Sequence, residues 1–293
     1  MINDEEYKYK FLYTTTSDKK KIRFCFWPKT KKGIIIFLNG RNEYIEKYHD
    51  TYLSFQKRDY AVVSLDWRGQ GLSQKERNII NFGHVNDFLD YQKDLESVLN
   101  HEEIKKITGK RILVCHSTGC LIGLRFLHSN NLQIDKAIFL APLWGGTIYQ
   151  KVIARVCIFL NNIGLKKVSL NFNKKPYILN TDVKRNCLTS NPINFQKLQE
   201  QIIKNPELNI GPPTISWIAG AASEIKKLSF KMNLIKPHLI FFGENDIIIS
   251  RKDIERKIKN KNNIYVIKNA KHELLIEKEE IVEYLWTKID NFI

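Results

Sequence analysis

The chain has 293 residues, of which 43% are hydrophobic and 27% are charged, a balance typical of globular proteins and not of disordered or fibrous ones. No apolar stretch approaches the roughly 20 residues that span a bilayer. The N-terminus carries acids near its start and no apolar segment, so we expect no secretory signal. The five cysteines include no C-x-x-C pair, which argues against a disulfide framework or a structural zinc site. A cytoplasmic protein, or one held peripherally on the inner face of a membrane, is expected.

The net charge of +16 allows two kinds of anionic partner, a nucleic acid or a lipid surface. A compositional bias toward Lys, Asn and Ile is the alternative explanation. The basic residues lie in short scattered runs mixed with acids, and no basic stripe is interleaved with aromatic residues. We expect no nucleic-acid partner, while peripheral contact with an anionic membrane stays open.

Strand and helix patterns alternate along the first half of the chain. In order they are two β-favouring runs at 9–16 and 21–27 that predict an antiparallel hairpin, strands at 33–40 and 60–71, a helix at 84–100, a strand at 111–117, a helix at 121–129 and a strand at 136–142. The later strands are apolar on both faces. Such strands, alternating with helices, are typical of a mostly parallel sheet that helices cover.

This alternation stops after Pro142 and returns near residue 236. Residues 147–235 contain helical patterns, at 149–165 and 214–228, and no convincing strand. Strands at 237–246 and 263–270 and a closing helix then follow. We therefore predict an α/β core formed by residues 1–146 and 236–293, interrupted by a helical cap at 147–235.

The stretch RILVCHSTGCLIGL, residues 111–124, predicts a strand, a sharp turn and a helix with almost no loop. This is the context of a nucleophile elbow, in which Ser117 stands above the sheet. The flanking positions must be small, as Cys115 and Gly119 are, although Gly is usual at the first. The backbone N–H of Thr118 would face the same space from a helix N-terminus.

A nucleophilic serine needs a histidine as its base, and the histidines after Ser117 are His128, His238 and His272. His128 lies at the far end of the following helix. His238 opens a strand, at the edge of the sheet opposite the elbow. His272 follows the last strand, at the same edge as the elbow, and is the predicted base.

The orienting acid should follow the preceding strand, because the chain order in this kind of site is serine, acid, histidine. The segment FFGENDIII offers Asp246, which is better placed to reach the base, with Glu244 as the alternative. The second oxyanion donor should follow an early strand, where Gly40 allows close approach and the N–H of Arg41 would donate. Asn39 replaces the usual His there.

We predict no cofactor and no metal. No phosphate-binding loop is present, and HELLI at 272–276 lacks the second His of a zinc-protease helix. Arg68, in the Gly-rich turn DWRGQG, could contact a phosphate, but a structural role is the favoured interpretation.

The chain resembles the α/β-hydrolases of the monoacylglycerol lipase and bacterial lysophospholipase type. The matching segments run in the expected order from about residue 33 onward: NGRNEYIEKY, LDWRGQGLS, GHVNDFLDYQKDL, CHSTGC, APLWG, LTSNPINF, GPPTISW, GENDIII and AKHELLIE. The resemblance implies the α/β-hydrolase fold and matches Ser117, Asp246 and His272 to the family's triad. Cys115 and Cys120 depart from the family pattern, and their role is open.

The resemblance also implies a serine hydrolase that cleaves a lipid ester, such as a lysophospholipid or a monoacylglycerol, through an acyl-enzyme on Ser117. Two alternatives remain. One is an esterase, thioesterase or peptidase acting on a non-lipid substrate, because a fold alone does not fix chemistry. The other is a non-catalytic binding protein that keeps the fold. The sequence leaves the oligomeric state and the substrate's head group and acyl length open.

Overall fold

The computed structural model describes residues 9–76, 82–129, 132–170, 177–228, 236–258 and 261–293. One sheet of eight strands has the order β1-β2-β4-β3-β5-β6-β7-β8. The strands are β1 Lys10–Thr15, β2 Lys21–Trp27, β3 Gly33–Leu38, β4 Tyr60–Leu65, β5 Lys110–His116, β6 Lys136–Leu140, β7 His238–Gly243 and β8 Ile264–Ile267. β2 pairs antiparallel with β1 and with β4, and every other neighbouring pair is parallel. The predicted α/β class is confirmed.

Helices connect these strands and cover both faces of the sheet. They are α1 His49–Gln56, α2 Asp90–Leu99, α3 Glu102–Lys105, α4 Thr118–Ser129, α5 Ile148–Asn162, α6 Tyr177–Asn180, α7 Pro192–Lys204, α8 Ile215–Leu228, α9 Arg251–Glu255 and α10 Glu279–Asp290. Within the described ranges, no helix has both the length and the apolarity needed to cross a bilayer.

The core has two layers because side chains of each strand alternate between the faces of the sheet. Ile34 and Ile36 of β3 belong to the layer that includes residues of α2 and α4, and Ile35 and Phe37 to the layer beneath α1 and α10. Helices α5 to α8 lie between β6 and β7 in the chain. The last of them, α8, adds buried side chains to the first layer (Trp217, Ala221 and Leu228).

The helix predicted at 84–100 begins only at Asp90, so its predicted start was wrong. The preceding residues are held by α8 and the turn before it. His84 Nδ1 lies 3.0 Å from Thr214 Oγ1, and Ser216 Oγ donates to the carbonyl of Val85 at 2.7 Å. These contacts come from residues more than a hundred positions away, so a local pattern could not show them.

The turn between β5 and α4 is as tight as the sequence predicts. Ser117 has a φ of +49°, in the left-handed region that a non-glycine residue seldom occupies. Gly119 packs so closely on the end of β3 that an added Cβ would lie 2.2 Å from the carbonyl oxygen of Leu38. Gly119 is therefore required by the approach of two backbone segments.

Gly119→Ala should lower the free energy of unfolding by at least about 1–3 kcal/mol, the usual cost of overpacking, because the methyl group meets backbone that cannot rotate away. Urea unfolding measures the change. Gly146→Ala is the control, since its Cβ would meet the flexible side chain of Gln150 at 3.0 Å. Equal stabilities of the two variants would contradict the explanation.

Candidate active site

Two hydrogen bonds bring Ser117, His272 and Asp246 together. His272 Nε2 lies 3.0 Å from Ser117 Oγ, and His272 Nδ1 lies 2.7 Å from Asp246 Oδ2. Ser117 is half-buried, while the side chains of His272 and Asp246 are almost fully buried. The three residues follow β5, β8 and β7, whose carboxyl ends share one edge of the sheet.

Backbone donors fix the carboxylate of Asp246. Its Oδ1 accepts the N–H groups of Ile248 at 2.8 Å and Ile249 at 3.3 Å, which leaves Oδ2 for His272. The alternative acid, Glu244, is exposed and accepts the N–H of Asn269 at 3.0 Å. The geometry therefore favours Asp246 as the residue that orients the imidazole.

The N–H groups of Arg41 and Thr118 remain the candidate oxyanion donors. Neither has an acceptor among the described residues, and each follows a strand that ends at the edge where Ser117 lies. Asn39 has a structural role instead. Its Nδ2 donates to the carbonyl of Leu65 at 3.1 Å, and its own carbonyl accepts Trp67 Nε1–H at 2.9 Å.

Cys115 and Cys120 pack the turn. Both are fully buried, and Cys120 Sγ lies 3.1 Å from the carbonyl oxygen of Cys115 and 3.4 Å from that of Leu140, the two acceptors within reach of its single S–H. Burial raises the pKa of both thiols well above its ordinary value. Protonated, buried thiols are poor nucleophiles, so these two residues serve packing.

A buried cluster of four charged side chains lies beneath the site: Glu43, Lys47, His116 and Glu273. Lys47 Nζ bridges Glu43 Oε1 at 3.2 Å and Glu273 Oε1 at 2.6 Å. His116 Nδ1 donates to Glu43 Oε1 at 2.7 Å, and its Nε2 donates to the carbonyl of His272 at 3.1 Å. Glu43 Oε1 and the carbonyl are acceptors, and Tyr48 Oη, 3.2 Å from Nδ1, donates its own proton to Glu273 Oε2 at 2.9 Å. Both ring nitrogens of His116 therefore carry protons, and two cations face two carboxylates.

The charges of this cluster stabilise one another against burial. Burial alone would lower the pKa of His116, but the carboxylates of Glu43 and Glu273 raise it to about 9. Burial alone would raise the pKa of Glu43, but His116 and Lys47 hold it well below its ordinary value. Glu43, Lys47 and His116 thus stay charged at neutral pH.

The same cluster has the spacing of a metal site, since ligand atoms of Glu43, His116 and Glu273 lie within 4.8 Å of one another. Its chemistry does not fit one. The ammonium of Lys47 already bridges the carboxylates, and a doubly protonated imidazole has no lone pair to offer a metal. The cluster is an ion-pair network.

Sequence reasoning missed this network, although a signal was present. His116 precedes Ser117, and Glu273 follows His272. Glu43 and Lys47 are four residues apart just after the candidate oxyanion loop. Because these charged residues neighbour three candidate site residues, the sequence could have predicted that they form ion pairs with one another.

Glu43→Gln should lower the free energy of unfolding by about 3–5 kcal/mol, the usual cost of breaking a buried ion pair. The wild type should also lose stability as the pH rises through about 9, because His116 binds its proton more tightly in the folded chain than in the unfolded one. That loss should shrink in the variant, since Glu43 no longer raises the His116 pKa. Denaturant unfolding from pH 7 to 10 measures both effects.

Glu283→Gln, on the exposed face of α10, is the matched control and should change neither quantity. A Glu43→Gln variant as stable as this control would mean that the network contributes nothing to folding.

A family profile described as "Serine aminopeptidase, S33" matches residues 29–279. Among curated relatives, a protein of Haemophilus influenzae named "Probable lysophospholipase L2" is 28% identical over 99% of this chain and 93% of its own length. "Lysophospholipase L2" of Escherichia coli K12 is 24% identical over 90% of this chain and 82% of its own length.

Solved structures show the same fold. A soluble variant of monoglyceride lipase from Saccharomyces cerevisiae, in complex with a substrate analogue, superposes with a TM-score of 0.73 at 18% identity, covering 97% of this chain and 95% of that one. A monoacylglycerol lipase from Paleococcus ferrophilus gives a TM-score of 0.72 at 19% identity, covering 92% and 98%. The eight-stranded sheet is thus that of an α/β-hydrolase.

Proposed function

Because the chain belongs to the family described as "Serine aminopeptidase, S33", among α/β-hydrolases of the monoacylglycerol lipase and lysophospholipase group, we propose that it is a serine hydrolase that cleaves a carboxylic ester of a lipid. The observation that carries this proposal is the pair of hydrogen bonds that joins Ser117 to His272 and His272 to Asp246. A lysophospholipid or a monoacylglycerol would be the substrate.

In the first half of the reaction, Ser117 Oγ attacks the ester carbonyl carbon while its proton passes to His272 Nε2. The carbonyl oxygen becomes an oxyanion and accepts the N–H groups of Arg41 and Thr118, each typically contributing roughly 3 kcal/mol to the transition state. Asp246 stabilises the imidazolium. The intermediate then collapses, and the leaving alcohol takes the proton from His272.

The second half releases the acid. Water attacks the acyl-enzyme and gives a proton to His272, and the new tetrahedral intermediate expels Ser117, which recovers its proton. The free fatty acid leaves. Protein side chains, two backbone N–H groups and water perform every step.

We assign residues 147–235 as a cap over the site. Helix α8 belongs to this cap and also packs against the core. The start of the cap is tied to the segment after Asp246. Gln150 Nε2 donates to the carbonyl of Ile248 at 2.9 Å, and Lys151 Nζ pairs with Asp253 at 2.6 Å. The cap therefore begins beside the acid.

The charge near the site supports an ester substrate over a peptide with a free amino terminus. An aminopeptidase needs an acceptor for the substrate's ammonium group. The neighbouring carboxylates, Glu43 and Glu273, are both already paired with the ammonium group of Lys47. Arg41 places a positive charge beside the proposed oxyanion donor and would repel an ammonium group.

A fluorophosphonate probe should label the wild type and not Ser117→Ala, because the probe bonds to an activated serine oxygen. Ester hydrolysis should fall by at least about a thousandfold in the same variant. Mass spectrometry and a fluorogenic acyl ester provide the readouts. Ser129→Ala, at the exposed end of α4, is the control and should keep both properties.

Equal labelling of Ser117→Ala and wild type would exclude the catalytic assignment. A wild type that neither reacts nor turns over would favour the binding-protein alternative. Faster cleavage of aminoacyl anilides than of acyl esters would favour a peptidase.

Peripheral membrane contact is the second part of the proposal, and α5 would provide it. Most of the apolar side chains predicted along one face of 149–165 point outward, with Tyr149 74% and Phe159 63% exposed, while Ile153 and Leu160 pack against the cluster that includes Ile215 of α8. Residues 136–181 contain no acid, and basic side chains accompany the helix at Lys151 and Arg155. An apolar helix face with basic neighbours suits the interface of an anionic bilayer.

The double variant Tyr149→Ser/Phe159→Ser should bind anionic phosphatidylglycerol vesicles at least about tenfold more weakly, because each exposed aromatic ring would otherwise bury its surface in the interface. Vesicle co-sedimentation measures the partition. Ile203→Ser/Tyr284→Ser removes apolar side chains exposed on α7 and α10 and is the control. Equal losses in the two variants would argue against α5 as the contact.

A further inference from the structure

Arg41 differs from the other arginines whose side chains are buried or nearly so. Arg23, Arg68 and Arg125 each form an ion pair with a buried carboxylate, that of Asp66, Asp94 or Glu224. The guanidinium of Arg41 has no carboxylate within ion-pair distance among the described residues. The undescribed segments inside the chain contain no Asp or Glu.

The contacts that Arg41 does make are all with neutral groups. Its Nη2 donates to the carbonyls of Phe82 at 3.0 Å and Gly211 at 2.7 Å, and the guanidinium lies over the ring of Trp217 at 5.2 Å. Nε is buried and has no acceptor among the described residues. The side chain is therefore held in one place, while its Nε lacks a partner within the part of the chain that the structure describes.

This guanidinium remains charged. Burial lowers the pKa of Arg41 to about 10, so the group is a cation at neutral pH. A partly desolvated cation with unused donors binds an anionic oxygen strongly, because the hydrogen bonds are charge-assisted and little water competes.

A second unused donor lies beside the same stretch of backbone. Gln70 accepts the N–H of Asn42 at 2.6 Å through Oε1, and its buried Nε2 has no acceptor among the described residues. Gln70, in the turn after β4, thus places a second buried donor beside Arg41 and the backbone of the loop after β3, where the proposed oxyanion hole lies.

We propose that the Arg41 guanidinium binds a phosphate oxygen of a lysophospholipid head group and so selects this substrate over a monoacylglycerol. This inference rests on the proposed ester hydrolysis at Ser117. The backbone of Arg41 would hold the ester oxygen and its side chain the phosphate. In the protein, one arginine side chain separates the Arg41 backbone N–H from the guanidinium. In the lipid, one glycerol unit separates the ester from the phosphate, and the two spacers are of similar length.

The test compares kcat/KM for a lysophosphatidylglycerol and a monoacylglycerol that share one acyl chain, with active sites counted by fluorophosphonate labelling. Arg41→Met should lower the ratio of kcat/KM for the phospholipid to kcat/KM for the monoacylglycerol by about 10- to 100-fold, the usual effect of a charge-assisted hydrogen bond. Most of this change should come from a higher KM for the phospholipid. Arg41→Lys keeps the charge and should retain part of the preference. Arg58→Met, at the opposite edge of the sheet, is the matched control and should leave the ratio unchanged.

Inorganic phosphate distinguishes the source of the anion. If Arg41 serves the head group, phosphate should inhibit monoacylglycerol hydrolysis weakly in the wild type and still less in Arg41→Met. Tight inhibition by phosphate, with no preference for the phospholipid, would identify a free-phosphate site and overturn the proposal.

If Arg41 served only to hold the backbone of Phe82 and Gly211, Arg41→Met would lower kcat/KM equally for both substrates and would reduce the melting temperature. That result would overturn the inference while leaving the hydrolase intact. A wild type that cleaves neither lipid would instead refute the proposed function.

Discussion

The neutral cluster of Glu43, Lys47, His116 and Glu273 is the constraint on which the geometry of the site depends. The serine, the histidine and the candidate oxyanion loop each have a member of the cluster next to them. His116 precedes the serine, Glu273 follows the histidine, and Glu43 accepts the N–H of Gly40, just before the oxyanion loop. Because buried charges must satisfy one another, these three backbone segments cannot shift independently.

Charge is distributed unequally around this edge of the sheet. Beneath the site, two cations and two anions cancel at hydrogen-bond distance. On the substrate side, Arg41 stands without a counter-charge among the described residues. Fixed polarity of this kind is useful in catalysis, because donors that are already oriented need no reorganisation when negative charge develops. The fold thus separates a neutral ion-pair cluster from a positively charged side chain at the proposed site.

The sheet and the trio of Ser117, Asp246 and His272 were accessible from the sequence because each trio residue follows an apolar strand. The carboxyl ends of parallel strands meet at one edge, so chain order translates directly into proximity. The charged neighbours of the site residues hinted at the ion-pair network, but their pairing could not be predicted: Lys47 and Glu273 are 226 positions apart, and a sequence shows charge but not which charges are buried together. Likewise, the helical spacing of apolar residues in α5 predicts an apolar face, but the sequence does not show whether that face packs inward or points outward.

Helix α8 belongs both to the core and to the proposed cap, and this has a consequence for how such proteins diversify. β6 and β7 are parallel neighbours, and parallel neighbours need a crossover that returns the chain to the opposite edge of the sheet. α8, packed in the core, provides that return. The helices before it, α5 to α7, therefore amount to an elaborated loop inside an ordinary strand–helix–strand unit. Evolution can lengthen, shorten or exchange such a loop without disturbing a single strand pairing, so new substrates can be accommodated while the hydrolytic machinery is inherited unchanged.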